Sequence, residues 1–93
     1  DDVEWIQAAE NYVELFTGAT CHLLHVRIRK LEECLDPETF TRIHRSMIVN
    51  KRYIQEIEPM THGEYILTLR SGTRLKSSRT YDQNIRAWAA NPF

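Results

Sequence analysis

Residues 40–59 read "FTRIHRSMIVNKRYIQEIEP", and their centre, "RIHRSMIVNKR" over 42–52, mixes two kinds of residue. Ile43, Ile48 and Val49 suit a packed core, whereas Arg42, His44, Arg45, Asn50, Lys51 and Arg52 suit a charged, solvated surface. The apolar set is expected to pack the domain. The polar set, Arg42 apart, is expected at strand ends and turns, facing outward.

On the C-terminal side, residues 53–58 ("YIQEIE") read as a strand with broken alternation, hence a bulge, closed by Pro59. "EYILTLR" alternates better, with Tyr65, Leu67 and Leu69 on one face and Ile66 and Thr68 on the other. Ser71-Gly72 turns the chain into "TRLKS", with Leu75 inward and Arg74 and Lys76 outward. Tyr81, Ile85 and Trp88, at i, i+4 and i+7, predict a closing helix capped by Ser77 or Ser78 and stopped by Asn91-Pro92. On the N-terminal side, Ile28, Leu31 and Leu35 predict a short helix that Asp36-Pro37 ends. Before it come strands over 3–8 and 12–17 joined at "AEN", and a third, "CHLLHV", after Gly18-Ala19-Thr20. The expected fold is mostly β, built of short strands with two short helices.

The 93 residues suffice for one small core, so a single domain over 1–93 is expected. The chain starts at "DDVEW" without Met, and it is read as a fragment of a longer protein. No apolar run approaches the roughly 20 residues that span a bilayer, and a cytoplasmic location is expected. Cys21 and Cys34 do not make a disulfide framework; both are expected to be reduced and semi-buried. The net charge of -1 hides an asymmetry. Residues 1–38 carry nine acids and three bases, -6, and residues 39–93 carry nine bases and four acids, +5. A basic half of this kind suits a polyanion, although uneven surface charge alone would produce it too.

Other chemistries fare worse. His22 and His25 in "CHLLH" fall on opposite faces of a strand, a poor chelate, and His44 and His62 have no ligand partner nearby in sequence. "HRS" offers His44 and Ser46, but no acid lies near in sequence to orient the imidazole, and GxSxG, HExxH and glycine-rich phosphate loops are absent. Neither a cofactor nor an enzyme activity is expected. Arg and Lys, by contrast, neutralise phosphates, and Arg also reads guanine with its paired donors. The start of the last helix, at Ser77, Ser78 and Arg79, offers outward N–H groups to an anion.

At "FTRIHRSMIVNKRYIQEIEP" the chain resembles the LytTR family of bacterial transcription-factor DNA-binding domains. The resemblance rests on Phe40, on Arg42-Ile43-His44-Arg45-Ser46, on Ile48-Val49-Asn50 and on Ile54. "ENYVEL", "LEECL", "GEYILTLRSGTRL" and "SRTY" follow in family order, so that it covers roughly residues 4–88. Met47, His25, Arg27 and Ser77 depart from common family choices.

The resemblance implies a compact, elongated β fold of short antiparallel strands with two short helices, and double-stranded DNA read by its loops in adjacent major grooves, with phosphate contacts around the minor groove between them. It implies base reading by Val13 or its neighbours Asn11 and Tyr12, by Arg45 and by Arg79, and backbone contacts from His44, Ser46, Asn50, Lys51, Arg52 and Ser78. It also implies binding to direct repeats as a dimer within a response regulator of two-component signalling. The alternative is a protein-interaction module without direct DNA contact.

Several residues keep two readings. Arg42 either pairs with an early acid or joins the DNA face. His44 either contacts DNA or holds its own loop, and Asn50 either contacts DNA or bridges backbone inside the domain. Lys51 and Arg52 are phosphate contacts or solvated charges. Trp5 and Trp88 are read as core.

Overall fold

A computed structural model of the protein describes residues 2–89, so the predicted stop at Asn91-Pro92 lies outside the described residues. Among the described residues, eight antiparallel strands form two sheets. The larger has the order β3-β2-β1-β5-β4, from β1 (Trp5–Ala8), β2 (Val13–Thr17), β3 (Thr20–Leu24), β4 (Phe40–His44) and β5 (Met47–Asn50). The smaller has the order β6-β7-β8, from β6 (Ile54–Pro59), β7 (Tyr65–Leu69) and β8 (Arg74–Lys76). Helix α1 (Ile28–Cys34) and helix α2 (Asp82–Ala89) complete the fold. Residues 40–50 form the β4–β5 hairpin, whose β5 lies between β1 and the edge strand β4 and feeds both cores.

The pleat explains the mixed composition of that hairpin. Successive side chains of a strand point to opposite faces. Ile48 therefore joins Ile6, Val13 and Phe40 on one face of the large sheet. There Ile28, Leu31 and Leu35 of the α1 stripe pack over them, as their spacing predicts. Val49 points the other way and joins Ile43, Leu67, Leu69, Leu75 and Ile85, where the small sheet and α2 cover it. Trp5 packs against this second core and stacks on Phe16, with centroids 4.4 Å apart.

Turn chemistry fixes the hairpins. Gly18, at φ 76°, lies in the two-residue connection between β2 and β3, where a positive φ matches the strand twist. Asp36 closes an Asx turn after α1, accepting from Glu38 N at 3.0 Å and Thr39 Oγ1 at 3.3 Å, and so directs the chain into β4. The bulge expected in β6 appears as a register shift between Ile54 and Glu56.

Four expectations need correction. The third strand is Thr20–Leu24 rather than 21–26, and as an edge strand it is exposed along its whole length. Cys21, on that edge, and Cys34, on the solvent side of α1, are free but exposed, not semi-buried. No serine hydroxyl caps the last helix: a 3-10 turn, Arg79–Tyr81, precedes α2, and Ser78 caps it through no side-chain bond. Ser77 is buried instead, its Oγ accepting from Tyr65 N at 3.0 Å, which removes it from any anion clamp.

Candidate nucleic-acid interface

Three loops meet at one end of the large sheet. The β1–β2 turn is tied to the β4–β5 turn by Ala8 N donating to Ser46 O at 2.8 Å. Gln7 adds Nε2 to Ser46 Oγ at 3.2 Å. The segment after β8 is tied to β4 by Ser78 N donating to Ile43 O at 2.9 Å. Gln7, His44, Lys76 and Ser78 consequently line one groove.

The β4–β5 loop is shaped from within. Ser46 N donates to His44 Nδ1 at 3.2 Å, so this nitrogen is the acceptor and the ring proton sits on Nε2. Ser46 Oγ lies 3.0 Å from the same nitrogen. Among the described residues no acid bonds the far side of the ring, so the arrangement lacks the orienting group that a nucleophilic serine requires. Arg42 supplies the rest of the loop's shape. Its Nε donates to His44 O at 2.8 Å, its second terminal nitrogen to Arg45 O, and its first to Glu32 Oε1 at 2.6 Å. Of the two readings of Arg42, the ion pair with an early acid is the one the structure contains.

With the loop's carbonyls and its serine engaged, the Arg45 side chain is exposed and makes no hydrogen bond or ion pair among the described residues. Arg79 is exposed in the same way and lines a neighbouring groove with His62, Asp82 and Arg86. The cation beside it, Arg86, is committed, holding Asp82 Oδ2 at 2.9 Å. That hydrogen bond, more than any other cause, lowers the Asp82 pKa. Burial first, then the Asp82 carboxylate, raises the pKa of the Tyr65 phenol. Among the described residues no hydrogen-bond partner meets Asp82 Oδ1.

The β1–β2 turn is less committed. Ala9 N donates to Tyr12 O at 2.9 Å, Asn11 is exposed at the tip, and the Tyr12 ring lies 6.0 Å from the His25 ring. Val13 must be taken out of the candidate set. It is the first residue of β2, wholly buried with Ile6 and Ile48, so its side chain cannot meet a base.

Asn50 leaves the set for the same reason and takes its interior reading. It is wholly buried, donates Nδ2 to Val3 O at 2.9 Å and accepts from Arg52 N at 2.9 Å, capping the 3-10 turn Lys51–Tyr53. Lys51 and Arg52 stand at the opposite end of β5 from Ser46. Five residues of extended chain cover about 16 Å, more than the ~12 Å width of a major groove, so they do not share the three-loop cluster. Lys51 Nζ donates to Pro37 O at 3.1 Å and lies 5.9 Å from the Trp88 centroid. The Arg52 side chain is exposed and makes no bond among the described residues.

Sequence reasoning missed Gln7 and Glu32. Gln7 joins two loops and lies outside the quoted motifs, and Glu32 anchors Arg42 from within "LEECL", a segment read only for its helix. The only local signal was the basic Arg42 among apolar neighbours, which called for an acid without naming which.

A sequence model of the LytTr DNA-binding domain matches residues 1–90. The sensory transduction protein LytT of Bacillus anthracis is 29% identical over 86 residues, covering 92% of this chain and 35% of that protein. The transcriptional regulatory protein LytR of Staphylococcus aureus is 30% identical over 60 residues, covering 64% of this chain and 24% of that protein. The chain thus spans about a third of the length of the first of these relatives. Among solved structures, the LytTr DNA-binding domain of a putative methyl-accepting/DNA response regulator from Bacillus cereus superimposes with a TM-score of 0.88 at 26% identity. That match covers 97% of this chain and 83% of the other.

Proposed function

This chain belongs to the LytTr DNA-binding domain family, and from that premise we propose that its three clustered loops read duplex DNA in a sequence-specific way. Arg45 reads one base and Arg79 another, each with paired donors in a major groove. Asn11 and Tyr12 approach from the β1–β2 turn. His44, through its Nε2–H, with Ser46 and Ser78, positions the loops on the phosphates. Arg52 and Lys51, about 16 Å away along β5, take phosphates beyond the groove that the loops enter.

The observation that carries this reading is the pair of backbone bonds, Ala8 N to Ser46 O and Ser78 N to Ile43 O, that hold three loops at one end while two arginines there keep uncommitted side chains. The domain acts without catalysis, as the DNA-binding output of a longer, cytoplasmic bacterial response regulator that binds direct repeats as a dimer. No helix among the described residues is long and apolar enough to cross a membrane.

Selection from random duplexes with the purified protein tests the reading. One motif is expected to enrich, and Arg45→Ala and Arg79→Ala are expected to relax different positions of it. Enrichment of no motif would overturn sequence-specific binding.

A further inference from the structure

Arg42 sits at a junction that the proposed reading does not use. Its guanidinium donates to the carbonyls of His44 and Arg45, carries an ion pair to Glu32 of α1, and lies 5.5 Å from the centroid of the Tyr81 ring. Tyr81 ends the 3-10 turn that Arg79 begins. The main chain of the same residue is held from that side too, with Asn84 Nδ2 donating to Arg42 O at 2.9 Å. One side chain therefore touches the segment carrying Arg45, the segment carrying Arg79, and a helix outside both. It is itself 10% exposed, so a DNA phosphate cannot be its main partner.

We propose that Arg42 is a positioning residue for sequence reading: without touching DNA, it sets the placement of Arg45 relative to Arg79, with Glu32 as its anchor. The physical reason lies in the guanidinium. Its planar fork offers five donors in fixed directions, so gripping the adjacent carbonyls of His44 and Arg45 together with the Glu32 carboxylate, while the Tyr81 ring lies 5.5 Å away, fixes the β4–β5 loop against α1 and the Arg79–Tyr81 turn. A lysine in its place would keep the charge and lose the geometry. Two bidentate base contacts tolerate little error in the spacing between them, and small misplacements of supporting groups cost large factors in recognition. The proposal rests on the reading of Arg45 and Arg79 as base contacts.

The experiment compares wild type, Arg42→Lys, Arg42→Ala and Glu32→Gln in two measurements. The first is amide hydrogen exchange on the protein alone. Ser46 N and Ala8 N, both bonded within the loop cluster, are expected to exchange tenfold faster or more in Arg42→Lys and Arg42→Ala, with amides of β7 unchanged. The second is affinity for the selected duplex against a scrambled one across a salt series. The ratio of the two affinities is expected to fall tenfold or more in both Arg42 variants and severalfold in Glu32→Gln. The scrambled-duplex affinity and its salt slope are expected to stay at wild-type values. Arg42→Ala combined with Arg45→Ala is expected to lose little beyond Arg45→Ala alone.

Three results would overturn the proposal: unchanged exchange at Ser46, full specificity in Arg42→Lys, or a salt slope smaller by about 0.9, which marks a direct phosphate contact. Should Arg42→Ala fail to fold, Arg42→Lys and Glu32→Gln carry the same comparison. If the wild type selected no motif, the base-reading assignment would fail on its own, and Ser46 exchange would still decide whether Arg42 shapes the loop.

Discussion

The two ends of β5 differ in how their polar groups are used, although the sequence that supplies them is one continuous basic run. At the hairpin end, the backbone carbonyls of His44 and Arg45 are taken up by Arg42, and Ser46 by Gln7 and His44. The loop is rigidly specified, and its one long cation, Arg45, is left pointing into solvent. At the other end Asn50 is consumed inside the fold, and Lys51 rests on a carbonyl and an indole. Only Arg52 there keeps an exposed side chain with no bond among the described residues. The lesson is that a polar residue near DNA-facing surface is informative only once its hydrogen bonds are counted. Groups already satisfied by the fold chiefly shape the site, and those left over are the ones available to read bases.

The largest test of this division is Asn50→Ala. It strands Val3 O and Arg52 N, two backbone groups that the buried carboxamide satisfies. Each orphaned group costs about 1–3 kcal/mol, so a loss of about 3 kcal/mol is expected, or a Tm lower by ~10 °C or more. Chemical denaturation reads it directly. The fraction that remains folded should discriminate DNA sequences as the wild type does. A stable Asn50→Ala that had lost DNA binding would reverse the division.

Arg45→Ala should behave in the opposite way. Stability is expected to move by no more than about 0.5 kcal/mol, because the side chain makes no contact that the fold uses. Discrimination at one base pair should fall by about 1–3 kcal/mol. Competition between the selected duplex and its single-base variants measures it, and a uniform loss over all sequences would mean a phosphate contact instead.

Arg52→Ala is expected to have a smaller effect and no sequence preference. Affinity should fall for every duplex alike, and the slope of log K against log salt should shrink by about 0.9. If the slope stayed at its wild-type value, Arg52 would be a solvated charge, and any phosphate contact at the far end of β5 would fall to Lys51.

What could be read in the sequence was what depends on local periodicity. The α1 stripe of Ile28, Leu31 and Leu35, the alternation of β7 and the stripe of α2 all follow from spacing within one element. Family motifs carried the DNA-binding assignment and pointed to Arg45 and Arg79. The misplaced residues are those whose environment is set by distant chain. Asn50 is buried because Val3, 47 residues earlier, supplies its partner. Val13 is core, rather than loop tip, because β2 lies between β1 and β3 and turns that residue toward α1. Cys21 is exposed because β3 is an edge, a fact of strand order that five residues of sequence do not contain. Lys51 and Arg52 looked like neighbours of Arg45 until the strand between them was extended.

The smallest effect asks whether the same rule of committed and leftover groups holds where α2 begins. There Arg86 is committed to Asp82, and Arg79 is left over. The carboxyl's folded pKa lies below its ordinary 3.8, chiefly through the Arg86 hydrogen bond. A lowered pKa means that the pair's contribution to stability is complete above pH 3.8 and disappears as pH falls through the folded value. Tyr65 has the opposite sign. Its pKa is raised above 10.0, so its contribution is complete below pH 10 and is lost as pH climbs through the folded value. Both contributions are small, because the Arg86 side of the pair stands mostly in solvent, which screens it. Urea midpoints measured from pH 5 down to pH 2.5 should therefore fall less in Asp82→Asn than in the wild type, and Tyr65→Phe should flatten the decline above pH 10. If Asp82→Asn tracked the wild type through the acid range, Arg86 would not be held by that carboxylate in solution. Arg79 and Arg86 would then be equivalent surface cations, and the choice of Arg79 alone as the base-reading residue would lose its structural basis.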